Sequence, residues 1–325
     1  MKAKYQYTYF INSFKIERKQ YKKYILSLMK NKKIKPKIYN NNKHTDLEKY
    51  FSQDIKEIMF KTMEMSETEQ KKLEENYKKI AKLPVVSFEY LVDNQTQSKM
   101  GNENGIFFKI DKIELICFKN GICFILLKTY LDENTDIKNI LDFNYKLKNS
   151  KEQVNIQSSE FKEQIILSQL FNELTGQQEM LNNYTFSYLC VDGEDWNEQK
   201  GFSLLENEFC KLVDVVPANE DVKRKIEIIE KSKYAKFGIG KSGTALITNS
   251  LDIYNCTKLP FEFENQYLYT LIFALYQKSL IEDIMKQNKK FSKMKRKLNH
   301  FINKEFIKEV TADEIGVKLY KKWQE

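Results

Sequence analysis

The sequence has few of the residues that build metal and redox sites. It contains two histidines, His44 and His300, and five cysteines, none of which forms a Cys-x-x-Cys pair. Structural zinc sites take four cysteine or histidine ligands at short spacings, so the sequence argues against such a site. Because the cysteines are odd in number and scattered, and because no signal peptide precedes them, they predict free thiols in a reducing cytoplasm.

Proline, glycine and long apolar runs are also scarce. Four prolines and ten glycines in 325 residues argue against a loop-rich or repetitive chain. The longest apolar run, Tyr267–Tyr276, has about half of the roughly 20 residues needed to cross a bilayer, so no membrane span is predicted. Hydrophobic residues make up 42% and charged residues 30% of the chain, a composition typical of a globular protein that buries a core.

Acidic residues are absent between residues 285 and 304. This segment holds eight lysines and arginines, in a chain whose net charge is +9. A cationic face of this kind attracts nucleic acid, anionic lipid or another polyanion. The alternative is a solvated helix face in a lysine-rich protein. The candidate nucleic-acid or anion ligands are Lys289, Lys290, Lys293, Lys295, Arg296 and Lys297.

The stretch AKFGIGKSGTALI, residues 235–247, contains Gly-Lys-Ser and raises the question of a phosphate-binding P-loop. A P-loop requires a glycine five positions before Gly240, where this chain has Ala235. It also requires a following helix, whereas Thr244–Thr248 is rich in β-branched residues and alternates as a strand does. The sequence therefore favours a hairpin with its turn at GKSG, in which glycines supply positive φ, and the P-loop is the alternative.

A second hairpin is predicted in the middle of the chain. Residues 106–131 hold two apolar runs joined at Asn120-Gly121, a pair favoured in two-residue hairpin turns. Cys117 and Cys123 flank this turn and are predicted to fill the core. Two further strands are predicted at residues 4–16, with the alternation of a half-buried strand, and at residues 184–193.

Apolar residues at helical spacing predict the helices. In the first part of the chain they cover residues 45–63, with Thr45 or Asp46 as the N-cap, residues 66–83, residues 136–150, residues 158–176 and residues 221–234. From Phe263 onward the whole chain is predicted to be helical. In residues 291–310 the apolar side chains share one face, which places the lysines on the other; they are Phe291, Met294, Leu298, Phe301 and Ile302.

These elements predict an α+β fold, with a mixed or antiparallel sheet flanked by helices. We divide the chain into an α/β body with central hairpins, residues 1–262, and a helical C-terminal region, residues 263–325.

The order of elements resembles that of the CorA-like divalent-cation transporter proteins. The resemblance rests on the central hairpin, the strand pair KFGIGKSGTALI, the helix ENQYLYTLIFALYQKSLIEDIM and the closing FIKEVTADEIGVKLYKKW, over about residues 105–325. In that family a cytosolic α/β domain precedes stalk helices and a membrane part. The Gly-Met-Asn signature is missing, since the nearest match is Lys99-Met100-Gly101, and so are the membrane helices. If the chain is complete, the resemblance implies a soluble relative of the cytosolic part. If it is a piece of a longer chain, the membrane part would begin beyond Glu325.

Members of this family sense cations through acidic side chains at subunit contacts. The resemblance therefore implies a Mg²⁺ site, for which the candidates are Asp192, Glu194 and Asp195 in the stretch VDGEDW. Carboxylate oxygens at this density suit a hard cation. The alternative is an ordinary acidic turn.

Three classes of function stay open. The first, which we favour, is a non-enzymatic regulatory or assembly module of the cytoplasm that acts by self-association and by binding a ligand or a macromolecule. The second is a nucleic-acid-binding protein, of the kind used in phage defence or counter-defence, that binds through residues 286–304. The third is an enzyme, and its sharpest form is a nucleotide hydrolase centred on Lys241.

Overall fold

The computed structural model describes residues 1–37, 47, 49–60, 77–92, 97–100, 106–149, 154–157, 165–222, 226–287, 291–304 and 306–325. The strands are β1 Lys2–Lys15, β2 Ile34–Pro36, β3 Val85–Tyr90, β4 Gln97–Met100, β5 Ile106–Phe118, β6 Ile122–Tyr130, β7 Thr135–Asp136, β8 Val154–Gln157, β9 Ile165–Ile166, β10 Met180–Val191, β11 Glu227–Ser232, β12 Ala235–Ile239 and β13 Gly243–Asn249. The helices are α1 Tyr21–Lys30, α2 Gln53–Met59, α3 Tyr77–Ile80, α4 Ile137–Asn149, α5 Leu167–Thr175, α6 Glu206–Asp214, α7 Ile253–Glu262, α8 Leu268–Gln287, α9 Phe291–Lys304 and α10 Glu314–Gln324.

The strands form one mixed sheet in the order β11-β12-β13-β10-β1-β6-β5-β4-β8-β9. Two short branches complete it, since β2 pairs with β3 beside β5, and β7 pairs with the start of β1. Strands β10 and β13 run parallel, and the other described pairs run antiparallel. The pairs β5–β6 and β12–β13 are hairpins, which matches the turn signals in the sequence, whereas β1 pairs with strands that are distant along the chain.

Helices cover both faces of the sheet, and each face buries its own hydrophobic cluster. Helices α1, α4, α5 and α6 pack on one face, and α2, α7, α8 and α10 pack on the other. The predicted α+β class is confirmed. A π-helical turn, Phe263–Tyr267, joins α7 to α8, so helix continues across residue 262. The division into two domains stays a prediction.

Strand β1 lies in the interior of the sheet between β10 and β6. The alternation of its residues predicted a half-buried strand, and this was wrong because helices cover both sides. Tyr7 and Tyr9 are buried on one face, and Phe10 and Phe14 are buried on the other. The polar residues between them are buried as well.

Residues 221–234 are not the predicted helix. Their described part forms strand β11 at the edge of the sheet, paired with β12. Ile226 and Ile229 are three residues apart, which suits a helix, but they pack on opposite faces of the sheet. The apolar spacing therefore reflects a strand that buries residues on both faces of the sheet, and not one face of a helix.

Other helix boundaries also differ from the prediction. Residues 158–176 were predicted as one helix, but α5 begins at Leu167 after strand β9, while residues 158–164 lie outside the described residues. The predicted end at Gly176 is confirmed, because this residue has a left-handed φ of 62°. Of the predicted helices 45–63 and 66–83, the structure describes α2 and α3, and the proposed N-cap Thr45 or Asp46 lies outside its range. Helices α1, α6 and α7 were not predicted. The described residues 306–313 are not helical, although the whole chain from Phe263 onward was predicted to be.

The central hairpin is confirmed, with a three-residue connection between β5 and β6 in place of the predicted two. Cys117 and Cys123 face each other across it, and all five cysteines are free thiols. Gly121 closes the turn with φ of +97°. A Cβ at this position would overlap the carbonyl oxygen of Ile16. The two main chains are in contact here, since the Ile16 amide donates to the Gly121 carbonyl over 2.8 Å.

We expect Gly121→Ala to lower the free energy of unfolding by about 2 kcal/mol, since alanine combines an unfavourable φ with this overlap. Urea denaturation of the wild type and the variant measures the difference. Gly201→Ala is the control: Gly201 also has positive φ, but its nearest neighbour is the Trp196 ring at 3.9 Å. It should cost about 1 kcal/mol. Equal losses in the two variants would contradict the role given to the Ile16 contact.

Candidate ligand-binding cavity at the Gly-Lys-Ser turn

The Gly-Lys-Ser stretch forms the predicted hairpin turn. Strands β12 and β13 pair antiparallel on either side of it, and the Gly240 amide donates to the Gly243 carbonyl over 2.9 Å. A strand, not a helix, follows Ser242, so the geometry of a P-loop is excluded. The prediction of positive φ at these glycines was wrong, because neither has it. Gly243 is required for a steric reason instead, since a Cβ at this position would overlap the Thr185 side chain.

The far side of the turn is held by Lys148 of α4. Its ammonium group donates to the Ser242 carbonyl over 3.0 Å, and the Thr185 amide donates to the same oxygen over 3.1 Å. Burial lowers the pKa of Lys148 to about 8, and the carboxylate of Asp214 offsets this only in part. Lys148 and Thr185 therefore hold the turn in place on one side. Its other side faces α8 and α10.

A cavity of about 510 Å³ lies between this turn and helices α8 and α10. Its size is within the range of about 300–1,000 Å³ of small-molecule sites. Strands of the sheet form its floor, and the two helices form its walls. The residues used below are Ser13 of β1, Asn183 and Tyr184 of β10, Lys241 of the turn, Lys278 and Glu282 of α8, and Lys322 and Trp323 of α10.

The floor of the cavity carries hydrogen-bonding groups in a fixed arrangement. The Trp323 indole donates to the Thr244 hydroxyl over 2.8 Å, and this hydroxyl also lies 2.8 Å from that of Tyr184. Burial raises the pKa of Tyr184, although its hydrogen bond to Thr244 opposes the change. The phenol therefore stays protonated at neutral pH.

Two buried polar atoms in the lining have no hydrogen-bond partner among the described residues. They are the Ser13 hydroxyl, whose residue is 3% exposed, and the side-chain oxygen of Asn183. The amide nitrogen of Asn183 donates to the Lys148 carbonyl over 3.2 Å, which fixes the oxygen in place. Buried polar groups without a partner cost free energy, so a ligand that pairs with them binds favourably.

The charges of the lining are balanced, with three lysines and three glutamates. Lys322 is already paired, since its ammonium lies 3.1 Å from Glu227 and 3.0 Å from Glu325. Lys241, Lys278 and Glu282 have no ion-pair or hydrogen-bond partner in the part of the chain that the structure describes. The cavity therefore offers two free positive groups and one free negative group.

The predicted Mg²⁺ ligands lie elsewhere, at the 3₁₀ turn after β10. Asp192 accepts the Glu194 amide over 3.2 Å and so caps this turn, and Asp195 accepts the Lys2 amide over 2.6 Å. No group of three or more His, Cys, Asp or Glu side chains in the described ranges has the geometry of a metal site. The Mg²⁺ assignment stays a prediction without structural support.

The predicted nucleic-acid ligands lie on α9, apart from Lys289 and Lys290, which are outside the described residues. Lys293, Lys295, Arg296 and Lys297 are all exposed. The apolar side chains that were predicted to share one face of this helix are only partly buried. Phe301 is buried, but Phe291 is 73% exposed and Ile302 is 50% exposed.

Of the cavity residues used above, the sequence analysis singled out Lys241 alone, and it did so as the lysine of a possible P-loop. The other residues come from β1, β10, α8 and α10, which are separated by tens to hundreds of residues, and no local motif joins them. No helix among the described residues is long and apolar enough to span a bilayer. Comparisons with family models, curated proteins and solved structures gave no match to this chain.

Proposed function

We propose that this chain is a non-enzymatic regulatory module that binds a small zwitterionic molecule, of the α-amino-acid class, in the cavity at the Gly-Lys-Ser turn. The observation that carries the proposal is the set of unpaired charges, Lys241, Lys278 and Glu282, around a cavity whose floor holds unpaired polar atoms. A carboxylate on the ligand pairs with the lysines, and an ammonium group pairs with the glutamate. A ligand with one sign of charge pairs with only part of this set, whereas a zwitterion pairs with all of it.

A binding role is favoured over catalysis by the chemistry of the lining. Neither the Ser13 nor the Tyr184 hydroxyl is hydrogen-bonded to a carboxylate or an imidazole among the described residues, so the cavity shows no activated nucleophile. The relation to the cytosolic part of CorA-like proteins belongs to the same proposal, as do the cytoplasmic location and self-association. Light scattering over a range of Mg²⁺ concentrations measures the last of these.

Thermal unfolding in the presence of the standard α-amino acids tests the proposal. We expect at least one amino acid to raise the midpoint, because a ligand at about 100 times its Kd adds about 2.7 kcal/mol to stability. Its N-acetyl and amide derivatives each lack one of the two charges and should have little effect. In Lys241→Met the affinity should fall about 10- to 100-fold, the loss expected for one charge-assisted hydrogen bond.

Lys258→Met, on the exposed surface of α7, is the matched control and should bind as the wild type does. The proposal is wrong if no amino acid raises the midpoint. It is also wrong if Lys241→Met and the wild type respond alike.

A second function, nucleic-acid binding, is favoured by the exposure of four cationic side chains on α9 without an acid between them. Replacing Lys293, Lys295, Arg296 and Lys297 with glutamate should abolish binding to a single-stranded RNA followed by fluorescence anisotropy. Wild-type affinity should fall with salt with a log–log slope of about −3, as expected for four phosphate contacts on a single strand.

The control for this experiment carries the same charge change elsewhere. The control set also has three lysines and one arginine, all exposed: Arg18 and Lys19, just before α1, and Lys22 and Lys23, in its first turn. Their replacement with glutamate should leave RNA binding largely intact. If both quadruple variants lose binding equally, the attraction is due to net charge and α9 is not the site.

A further inference from the structure

The sheet contains a break beside the first half of β1. This strand pairs with β6 from Thr8 onward and with β7 at Lys2 and Ala3. Residues 4–7 between them pair with neither strand, although the whole of β6, β7 and their connection is described. A cavity of about 380 Å³ occupies the break. Part of the main chain of residues 4–7 therefore faces this cavity and not a neighbouring strand.

A buried amide in the lining of this cavity has no partner. Gln6 is 4% exposed, and neither its side-chain oxygen nor its nitrogen has a hydrogen-bond partner among the described residues. An amide has two donor hydrogens and an acceptor oxygen, and leaving all of them unpaired inside a protein costs several times the free energy of one hydrogen bond. A ligand that offers both a donor and an acceptor satisfies this group.

Two irregularities of the main chain bring carboxylates to one lysine at the side of the cavity. The register of β5 and β6 shifts at Asp111, which is a bulge, and Glu264 lies in the π-helical turn. Lys128 of β6 lies between them, with its ammonium 2.7 Å from each carboxylate and 4.7 Å from the centre of the Tyr7 ring. Bulges and π-turns are frequent at functional sites because they redirect side chains.

This lysine is neutralised by its own neighbours. Burial alone would lower the pKa of Lys128, but the carboxylates of Glu264 and Asp111 overcome it and raise the pKa. The Tyr9 hydroxyl also donates to the Glu264 carboxylate over 3.0 Å, so each oxygen of that carboxylate has a partner. Lys128 and its partners therefore form a fixed wall of the cavity and leave the charge of the opening to other residues.

The opening of the cavity carries an excess of negative charge. Asp132 and Glu133, in the connection after β6, are exposed, and the ammonium group of Lys109 lies 3.8 Å from the Asp132 carboxylate. With Asp111, the lining holds three carboxylates and two ammonium groups, those of Lys109 and Lys128. A ligand that enters here is favoured if it carries a positive charge.

We propose that the break beside β1 binds the amino-terminal end of a short peptide. The terminal ammonium group pairs with Asp132 and Glu133, and the first peptide group gives a donor and an acceptor to the Gln6 amide. The following main chain lies extended along residues 4–7 of β1, in the place that a strand would otherwise take. Main-chain pairing of this kind and the capture of a peptide terminus are both recurrent ways of binding peptides.

Isothermal titration calorimetry with three probes tests this site. Alanyl-alaninamide has both the ammonium and the peptide group, its N-acetyl form has only the peptide group, and propylamine has only the ammonium. We expect the first to bind and the other two to bind at least about 10-fold more weakly, since each lacks interactions worth about 1.4 kcal/mol or more.

Two variants and two controls show which cavity binds alanyl-alaninamide. Gln6→Met keeps the size of the side chain, and Asp132→Asn with Glu133→Gln removes the surface charge without touching the core, so that at least one of them reports on a folded protein. Each should weaken the binding of alanyl-alaninamide about 10-fold. Glu220→Gln, at an exposed acid elsewhere, and Lys241→Met, in the other cavity, should bind it as the wild type does.

Equal binding of the N-acetyl form overturns the role of the ammonium group, and equal binding of propylamine overturns that of Gln6. Absence of heat with all three probes overturns the site itself. A loss in Lys241→Met alone assigns the binding to the Gly-Lys-Ser cavity, which overturns this proposal and leaves the proposed function standing.

Discussion

Trp323→Ala is expected to lower the free energy of unfolding by about 4 kcal/mol, the range measured for large aromatic residues in cores. Trp323 is 4% exposed, and its ring contacts Phe186 edge-on at 6.0 Å between centres. Its indole nitrogen donates to the Thr244 hydroxyl, so its removal leaves a void and takes one hydrogen bond from that hydroxyl, which keeps its contact with Tyr184. Urea denaturation measures the loss of stability. It is followed by far-ultraviolet circular dichroism, because tryptophan fluorescence differs between the two proteins.

Trp323→Phe separates the two contributions. It retains most of the ring contact and loses the hydrogen bond, so it should cost about 1 kcal/mol. It should also keep the wall of the cavity, and with it the response to amino acids. If the alanine variant is as stable as the phenylalanine variant, the packing of the Trp323 ring of α10 against the sheet does not contribute to stability as described.

Glu114→Gln is expected to cost about 3 kcal/mol, because it removes the buried counter-charge of two half-buried ammonium groups. Glu114 is 2% exposed on β5, and its carboxylate lies 2.7 Å from the Lys112 ammonium and 3.1 Å from that of Lys37. The Tyr269 hydroxyl donates to the same carboxylate over 3.2 Å. Urea denaturation at neutral pH compares the variant with the wild type.

The same carboxylate makes stability depend on pH in acid. Burial alone would raise the pKa of Glu114, but Lys112 and Lys37 overcome it and hold the pKa at about 2, below its usual 4.5. Since the pKa is lowered in the folded state, the contribution is complete above pH 4.5 and is lost as the pH falls toward 2. The stability difference between wild type and Glu114→Gln should therefore shrink over this interval.

Glu230→Gln is the control for this prediction. Glu230 pairs with Lys236 over 3.1 Å, but its side chain is 60% exposed. Exposed pairs contribute about 0–1 kcal/mol, so this variant should differ little from the wild type at any pH. A loss as large as that of Glu114→Gln would contradict the role given to burial.

The features that the sequence predicted correctly are those set by local chemistry. Asn120-Gly121 and the GKSG stretch each gave a hairpin, because a tight turn depends on the few residues within it. Gly176 ended its helix for the same reason, since only a residue that tolerates left-handed φ fits there. Fold class followed from these elements and their order.

The features that were missed depend on what packs against a segment. Residues 227–232 have an apolar spacing that suits a helix, and only the adjacent β12 makes them a strand. On α9, Phe291 and Ile302 sit at helical spacing, yet they are exposed because no described element covers them. The cavity residues Ser13, Lys241 and Lys278 are brought together by pairing across the sheet and by the position of α8, which no local pattern records.

The most direct test of the proposed function is a calorimetric titration with the amino acid that most raises the unfolding midpoint. We expect one binding site per chain in the wild type, with affinity reduced about 10-fold or more in both Lys241→Met and Lys278→Met. Unchanged affinity in both variants, or no heat of binding in the wild type, would contradict the assignment of this cavity as a ligand site.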